Sequence, residues 1–269
     1  METFFLFVTI AVGLLVGSFL NVCIFRVPRG ESVVTPSSHC PKCFATLTPL
    51  DLVPVLTWVL AGRRCRYCGF KVSSRYPFIE MLTGSLFGLS YLVFGPGLEL
   101  VIACAICAVL VVVTMIDIDF QIIPNTITFT WIIIALLLHL FLSWLFPGLS
   151  LTRLGIVADP VTSFAGIAAG GGLLWLIAVL SRGGMGMGDV KLAAALGASF
   201  GPKIVLITLF ISFFLGAGVG MLLILVGLKR RKDYIPFGPY IALAAVIVIL
   251  VGPDAIAQFY WKVVPGALP

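Results

Sequence analysis

A chain of 269 residues in which 61% are hydrophobic and only 10% are charged cannot cover the surface of a soluble globular domain, so that class is excluded. The apolar residues gather into runs long enough to cross a hydrocarbon core of about 30 Å, which makes this an integral membrane protein in contact with the lipid bilayer. The net charge of +6 would point to nucleic acid in a soluble protein, but 8 of the 17 Lys and Arg lie between Arg26 and Arg75 and 4 more form the run Lys229-Arg230-Arg231-Lys232. Retention of positive charge on the cytoplasmic side explains that distribution, and no nucleic-acid partner is expected.

The first apolar stretch, residues 4–25, lacks a basic leading region and a small-residue cleavage site, so it reads as a retained helix rather than a signal peptide. The polar segment 26–76 follows and is the only part large enough to form a subdomain. Further spans are expected near 77–94, 98–116, 126–146, 161–181, 190–200, 203–228 and 239–251. The expected fold is therefore all-α and polytopic, with about eight transmembrane helices and a small cytoplasmic loop domain. Its parts are a first transmembrane helix (1–25), a four-cysteine loop domain (26–76) and a membrane domain (77–269). Alternating sides from helix to helix, with 26–76 cytoplasmic, puts 117–125, 182–189 and 229–237 on the same side. Together with Lys191 these segments hold 14 of the 17 basic residues, leaving only Arg153, Lys203 and Lys262 opposite, so both termini are expected outside. The glycine runs Gly170-Gly171-Gly172 and Gly216-Ala217-Gly218-Val219-Gly220 follow no strand and read as close helix packing rather than as phosphate loops.

Within the polar segment, Cys40-Pro41-Lys42-Cys43 and Cys65-Arg66-Tyr67-Cys68-Gly69 are two C-x-x-C knuckles separated by 21 residues. Four thiolates so spaced can surround one ion tetrahedrally, as structural Zn²⁺ requires, in a zinc-ribbon-like loop. Two disulfides or a redox pair are the competing readings, and the cytoplasmic placement argues against stable disulfides. His39 is a bystander in this scheme. Cys104-Ala105-Ile106-Cys107 repeats the spacing inside an apolar helix, where cysteine behaves as a small hydrophobe, and Cys23 reads likewise.

The chain has only 11 acidic residues, so each one at a membrane edge needs a reason. Asp117 and Asp119 end the third span, and Asp189 opens the sixth behind Gly186-Met187-Gly188. Two carboxylates brought together in a poorly hydrated site share a proton and so supply both a base for water and an acid for a leaving group. From these residues alone peptide hydrolysis and proton or ion translocation both stand, beside the plain alternatives of a helix cap at Asp189 and a water boundary at Asp117 and Asp119. No Ser-His-Asp arrangement competes, since His139 lies deep in the fourth span with no nucleophile partner, and no H-E-x-x-H motif occurs.

Taken together, six segments in order resemble one family. They are Gly17-Ser18-Phe19-Leu20-Asn21-Val22 with Arg26-Val27-Pro28, both cysteine knuckles, Arg75-Tyr76-Pro77-Phe78-Ile79-Glu80, Asp117-Ile118-Asp119 with Ile123-Pro124-Asn125, Gly186-Met187-Gly188-Asp189-Val190-Lys191, and Ile235-Pro236-Phe237-Gly238-Pro239-Tyr240. Over nearly its whole length the chain is similar to the prepilin leader peptidases, membrane aspartyl proteases of the GxGD type. The resemblance implies that Asp117 and Asp189 form the catalytic pair, with Asp119 a neighbour. It implies as substrate a type IV prepilin or pseudopilin whose short basic leader is cut at the cytoplasmic face of the bacterial inner membrane. Many such proteins also methylate the new amino terminus with S-adenosylmethionine, and those carry the long cysteine-bearing loop present here. Asn125 stands where some relatives have an acidic residue. Glu80 is expected, from charge, to pair with basic residues of the leader.

Overall fold

Hydrocarbon offers no partner to a backbone N–H or C=O, so apolar segments of this length are driven to close their hydrogen bonds internally as helices. A computed structural model describes residues 1–151, 153–181, 184–230, 235–252 and 255–256. Its helices are α1 (Glu2–Arg26), α2 (Leu56–Leu60), α3 (Arg75–Phe94), α4 (Leu98–Phe120), α5 (Asn125–Leu145), α6 (Pro160–Leu180), α7 (Met187–Leu225) and α8 (Gly238–Val251). A two-stranded antiparallel pair, β1 (Ser150–Leu151) with β2 (Ile156–Val157), lies between α5 and α6. Arg182, Arg231, Lys232 and Lys262, which enter the charge argument, lie outside the described residues.

Among the described residues, six helices are long and apolar enough to cross a membrane, and α8 is a shorter apolar helix. One of the six, α7, has 39 residues, which would extend about 58 Å if straight, nearly twice the hydrocarbon thickness. It is not straight. Gly201 adopts φ 76°, ψ −179° and Pro202 follows it, so 187–200 and 202–225 are separate helical segments. Counting those segments apart and adding α8 recovers the eight apolar segments expected from the sequence.

The chain divides into two compact units, the first Met1–Ile116 and the second from Asp117 onward, with the boundary inside α4. In the first, α1 packs on α3 through facing glycines. A Cβ at Gly13 would lie 2.8 Å from the Cα of Gly84, and one at Gly17 would lie 2.7 Å from the Cα of Glu80. Gly84 and Gly88 in turn receive Leu14 and Ile10. Both helices thus carry glycine at four-residue spacing on the contact face, a pattern that lets membrane helices approach backbone to backbone. Thr83 and Ser90 are fully buried on α3, and their hydroxyls donate to the Ile79 and Leu86 carbonyls one turn back, each at 2.8 Å.

In the second unit α6 and α7 make the closest approach. A Cβ at Gly166 would fall 2.0 Å from the Gly197 carbonyl oxygen, and one at Gly197 would fall 2.1 Å from that of Gly166. Gly170 and Gly171 meet Ala193 and Ala194 the same way, whereas Gly172 and Gly218 face open space, so only part of each glycine run serves packing. The break in α7 strands carbonyls in the apolar interior, and side chains from neighbouring helices take them up. Ser163 Oγ donates to the Ala198 carbonyl at 2.6 Å, and His139 Nε2 donates to that of Ser199 at 3.1 Å. Trp131 Nε1 donates to Ser199 Oγ at 2.9 Å. His139, which had no partner in the sequence reading, is a buried donor holding α5 to the break. At the same end Asp159 caps α6, accepting from the N–H groups of Val161 and Thr162.

Because the α6–α7 contact is made of backbone, it has no rotamer to relax. Gly197→Ala is expected to cost about 3 kcal/mol of stability, whereas Gly172→Ala stabilises by up to about 1 kcal/mol. Thermal unfolding of both variants in one detergent checks this, and equal midpoints would refute the packing account.

Candidate functional site

Two constellations stand out, one in each unit. In the first unit the loop between α1 and α3 builds two knuckles of matched geometry. The Cys40 N–H donates to the Ala45 carbonyl at 3.0 Å and that of Cys65 to Phe70 at 2.7 Å. Isolated bridges His39–Thr46 and Arg64–Lys71 close them. The residue four after the first cysteine of each is left-handed, Phe44 (φ 56°) in one and Gly69 (φ 70°) in the other. Only Gly69 makes that turn without steric cost.

The sulfurs of Cys40, Cys43, Cys65 and Cys68 all lie within 4.8 Å of one another, and His39 is not among them. Cys40 Sγ and Cys68 Sγ are 3.8 Å apart. A disulfide needs about 2.05 Å, whereas a tetrahedron with metal–sulfur bonds of about 2.3 Å separates its sulfurs by about 3.8 Å. The donor set therefore fits a tetrahedral metal ion, and all seven cysteines are free thiols. Backbone N–H groups of Cys43 and Lys42 directed at its sulfur hold the Cys40 thiol below its ordinary range. Cys104 and Cys107 are buried in α4, as packing residues are.

Asp51 ties the segment between the knuckles to the second of them. Its carboxylate accepts from the Thr48 hydroxyl at 2.8 Å, the Thr48 N–H at 3.0 Å and the Tyr67 hydroxyl at 2.9 Å. The Thr48 hydroxyl and N–H, then Tyr67, hold this carboxyl below its ordinary range. Glu80 has a partner inside the unit. It is buried, and its Oε2 accepts the N–H of Val55 at 2.8 Å. Val55 sits at φ 61°, an uncommon conformation for a β-branched residue that this hydrogen bond helps to hold. An open cleft of about 1520 Å³ runs beside it, with Asn21, Arg26, Trp58, Tyr76 and Glu80 in its wall.

In the second unit the carboxylates come together. Asp117 lies in the last turns of α4 and is 3% exposed, while Asp189 lies in the first turn of α7 and is 4% exposed. Both flank Ile123: Gly188, next to Asp189, and Gly238, bonded to Asp117, pack against its side chain. Asp119, two residues along α4, is exposed, so the two aspartates of the Asp-x-Asp segment differ sharply in surroundings.

Asp117 Oδ2 accepts the N–H of Gly238, the first residue of α8, at 3.1 Å. Ile123 is buried between two glycines, since a Cβ at Gly188 would lie 3.0 Å from Ile123 Cβ and one at Gly238 would lie 3.2 Å from Ile123 Cδ1. Lys191 Nζ donates to Asn125 Oδ1 at 2.7 Å and lies 5.6 Å from the centre of the Phe129 ring. The end of α4 and the starts of α5, α7 and α8 thus meet at one end of the unit. Sequence reasoning had noted Gly238 and Ile123 only as motif letters. The contact of Gly238 with Asp117 spans 121 residues and leaves no local signal.

Comparison with known proteins agrees with this architecture. Residues 11–94 match the Bacterial Peptidase A24 N-terminal domain, and residues 104–221 match the Type IV leader peptidase family. A prepilin leader peptidase/N-methyltransferase of Bacillus subtilis is 35% identical over 94% of this chain and 97% of its own length. Proteins of the same description from Aeromonas hydrophila (33% identical, 92% of this chain, 90% of the relative) and Pseudomonas aeruginosa (30%, 95% and 93%) are also similar. No solved structure matches. On the strength of matches spanning nearly its whole length, this multi-pass membrane chain belongs to the type IV leader peptidase family.

Proposed function

We propose that the chain is a membrane aspartyl endopeptidase that removes the short basic leader from type IV prepilins or pseudopilins and then N-methylates the exposed amino terminus. The observation that carries this reading is the pair of aspartates, Asp117 and Asp189, buried at helix ends of the second unit. The relatives' names, which join peptidase and N-methyltransferase, support both activities.

Asp117 and Asp189 are the catalytic pair and share one proton, because two close carboxylates in a poorly hydrated site cannot easily both ionise. The ionised member takes a proton from water as the water oxygen attacks the carbonyl carbon of the leader's last residue. The protonated member gives its proton to the carbonyl oxygen, and a gem-diol results. On collapse, the first aspartate passes its new proton to the departing nitrogen, the C–N bond breaks, and one gem-diol hydroxyl returns a proton to the second aspartate. Each carboxyl ends as it began, with no covalent enzyme intermediate. Asp119, exposed on the other side of the helix, is a neighbour of the pair and not a member of it.

Cys40, Cys43, Cys65 and Cys68 hold a structural Zn²⁺, which when bound cross-links the loop and takes no part in hydrolysis. S-adenosylmethionine supplies the methyl group when bound, and the cleft of about 1520 Å³, with aromatic, acidic and basic side chains in its wall, has room for a zwitterionic nucleoside. The protein resides in the bacterial inner membrane with the aspartates at the cytoplasmic face and both termini outside. The concentration of Lys and Arg in the segments that alternate to that face supports this orientation.

Asp117→Asn and Asp189→Asn are each expected to lower leader cleavage by about 10³-fold or more while the protein stays folded. Cleavage of a synthetic prepilin in detergent, with a mass gain of one methyl on the product when S-adenosylmethionine is added, measures both activities. A variant that still cuts would remove that aspartate from the pair. Metal analysis of protein purified without chelator is expected to give one zinc per chain, lost in Cys40→Ser together with thermal stability. Protein that is stable and free of zinc would sink the metal assignment.

A further inference from the structure

A regular helix leaves the N–H groups of its first turn without an intrahelical acceptor, and in an apolar setting each needs a partner. At the start of α8 every one is accounted for. Pro239 has no N–H, and those of Tyr240 and Ile241 donate to the Phe237 carbonyl at 3.0 and 3.2 Å. The N–H of Gly238 is left, and it donates to Asp117 Oδ2 at 3.1 Å in a buried setting. The same residue has no space for a side chain, because a Cβ would stand 2.6 Å from that oxygen. The side chain of Ile123 closes the remaining flank and touches Gly188, which immediately precedes Asp189.

An aspartate carboxyl turns freely about its last torsion, whose wells are broad, so burial alone leaves its plane undefined. A backbone donor on a rigid helix start defines it. We infer that Gly238 is a positioning residue for the peptidase reaction: its N–H fixes the Asp117 carboxyl toward Asp189, and its missing side chain is what permits that contact. The start of α8 is then a third component of a site otherwise built from α4 and α7. This rests on the reading of Asp117 and Asp189 as the catalytic pair. Gly238 itself touches neither substrate nor water in the scheme and acts through Asp117.

The test compares full-length wild type, Gly238→Ala and the double variant Gly238→Ala/Ile123→Val in leader cleavage, with unfolding midpoints measured alongside. Gly238→Ala is expected to lower kcat by about 10²-fold, the scale of a misplacement near 1 Å, with KM within about twofold of wild type. Ile123→Val removes Cδ1, the atom 3.2 Å from the added Cβ, and is expected not to restore kcat, because the clash with Asp117 remains. Replacing the Gly238 residue by glycolic acid, which turns its amide into an ester, deletes the donor without adding an atom. The same fall in kcat is expected there, even if the alanine variant fails to fold. Recovery in the double variant would mean that Gly238 only packs against Ile123. A rise in KM at constant kcat would make it a substrate contact, and unchanged kcat in the ester protein would abolish the role. Each of these overturns the inference while leaving the peptidase reading intact. A folded wild type that cuts no prepilin removes both.

Discussion

An unpaired backbone N–H or C=O in hydrocarbon costs several kcal/mol, and that constraint decides where this chain can interrupt its helices. Two interruptions in the second unit obey it in complementary ways. At the Gly201–Pro202 break the exposed groups are carbonyls, and donors from α5 and α6 meet them: Ser163 at Ala198 and His139 at Ser199. At the start of α8 the exposed group is an N–H, and a carboxylate meets it. The polar residues buried at these points are therefore the ones that a broken helix demands. The first interruption is satisfied by hydroxyl and imidazole donors and is structural. The second is satisfied by a side chain with chemistry of its own.

The glycines extend the same logic from hydrogen bonding to packing. With Gly166, Gly170 and Gly171 of α6 against Gly197, Ala193 and Ala194 of α7, backbone rests on backbone, and neither helix can slide without collision. That contact holds the first segment of α7, whose first turn carries Asp189. At the other end of the segment, Trp131 and His139 bond to Ser199 and hold it against α5. A carboxyl on a segment pinned along its length and at its far end keeps its place, as a site needing sub-ångström positioning must. Sequence composition that reads as unusually glycine-rich is thus part of the route from chain to chemistry.

How much of this was legible beforehand follows from how far each signal reaches along the chain. The four-cysteine cluster was readable because its spacing is local, and two knuckles of equal spacing have few uses. The two aspartates were readable because a carboxylate at a membrane edge is rare enough to ask for a reason. The facing glycines of α1 and α3 carried a legible four-residue spacing that went unread beside the longer glycine runs. Partners set by tertiary contact were not legible: His139 with Ser199 spans 60 residues, and Asp117 with Gly238 spans 121. Glu80 likewise has a partner that no pattern of charges announces, the N–H of Val55, 25 residues away.

The Asp-x-Asp segment shows how one helical turn separates chemistry from solvation. The sequence puts both aspartates at the end of the third span, and the helix runs on through them to Phe120. Two residues on a helix are rotated by about 200°, so once the segment is helical Asp117 and Asp119 must face opposite directions. Only one can meet the start of α8, and the buried one does. The exposed one lies outside that contact. Continuing the helix for a single turn beyond the apolar run is therefore what selects between two chemically identical side chains. That turn also carries the contact between the Gly238 N–H and Asp117.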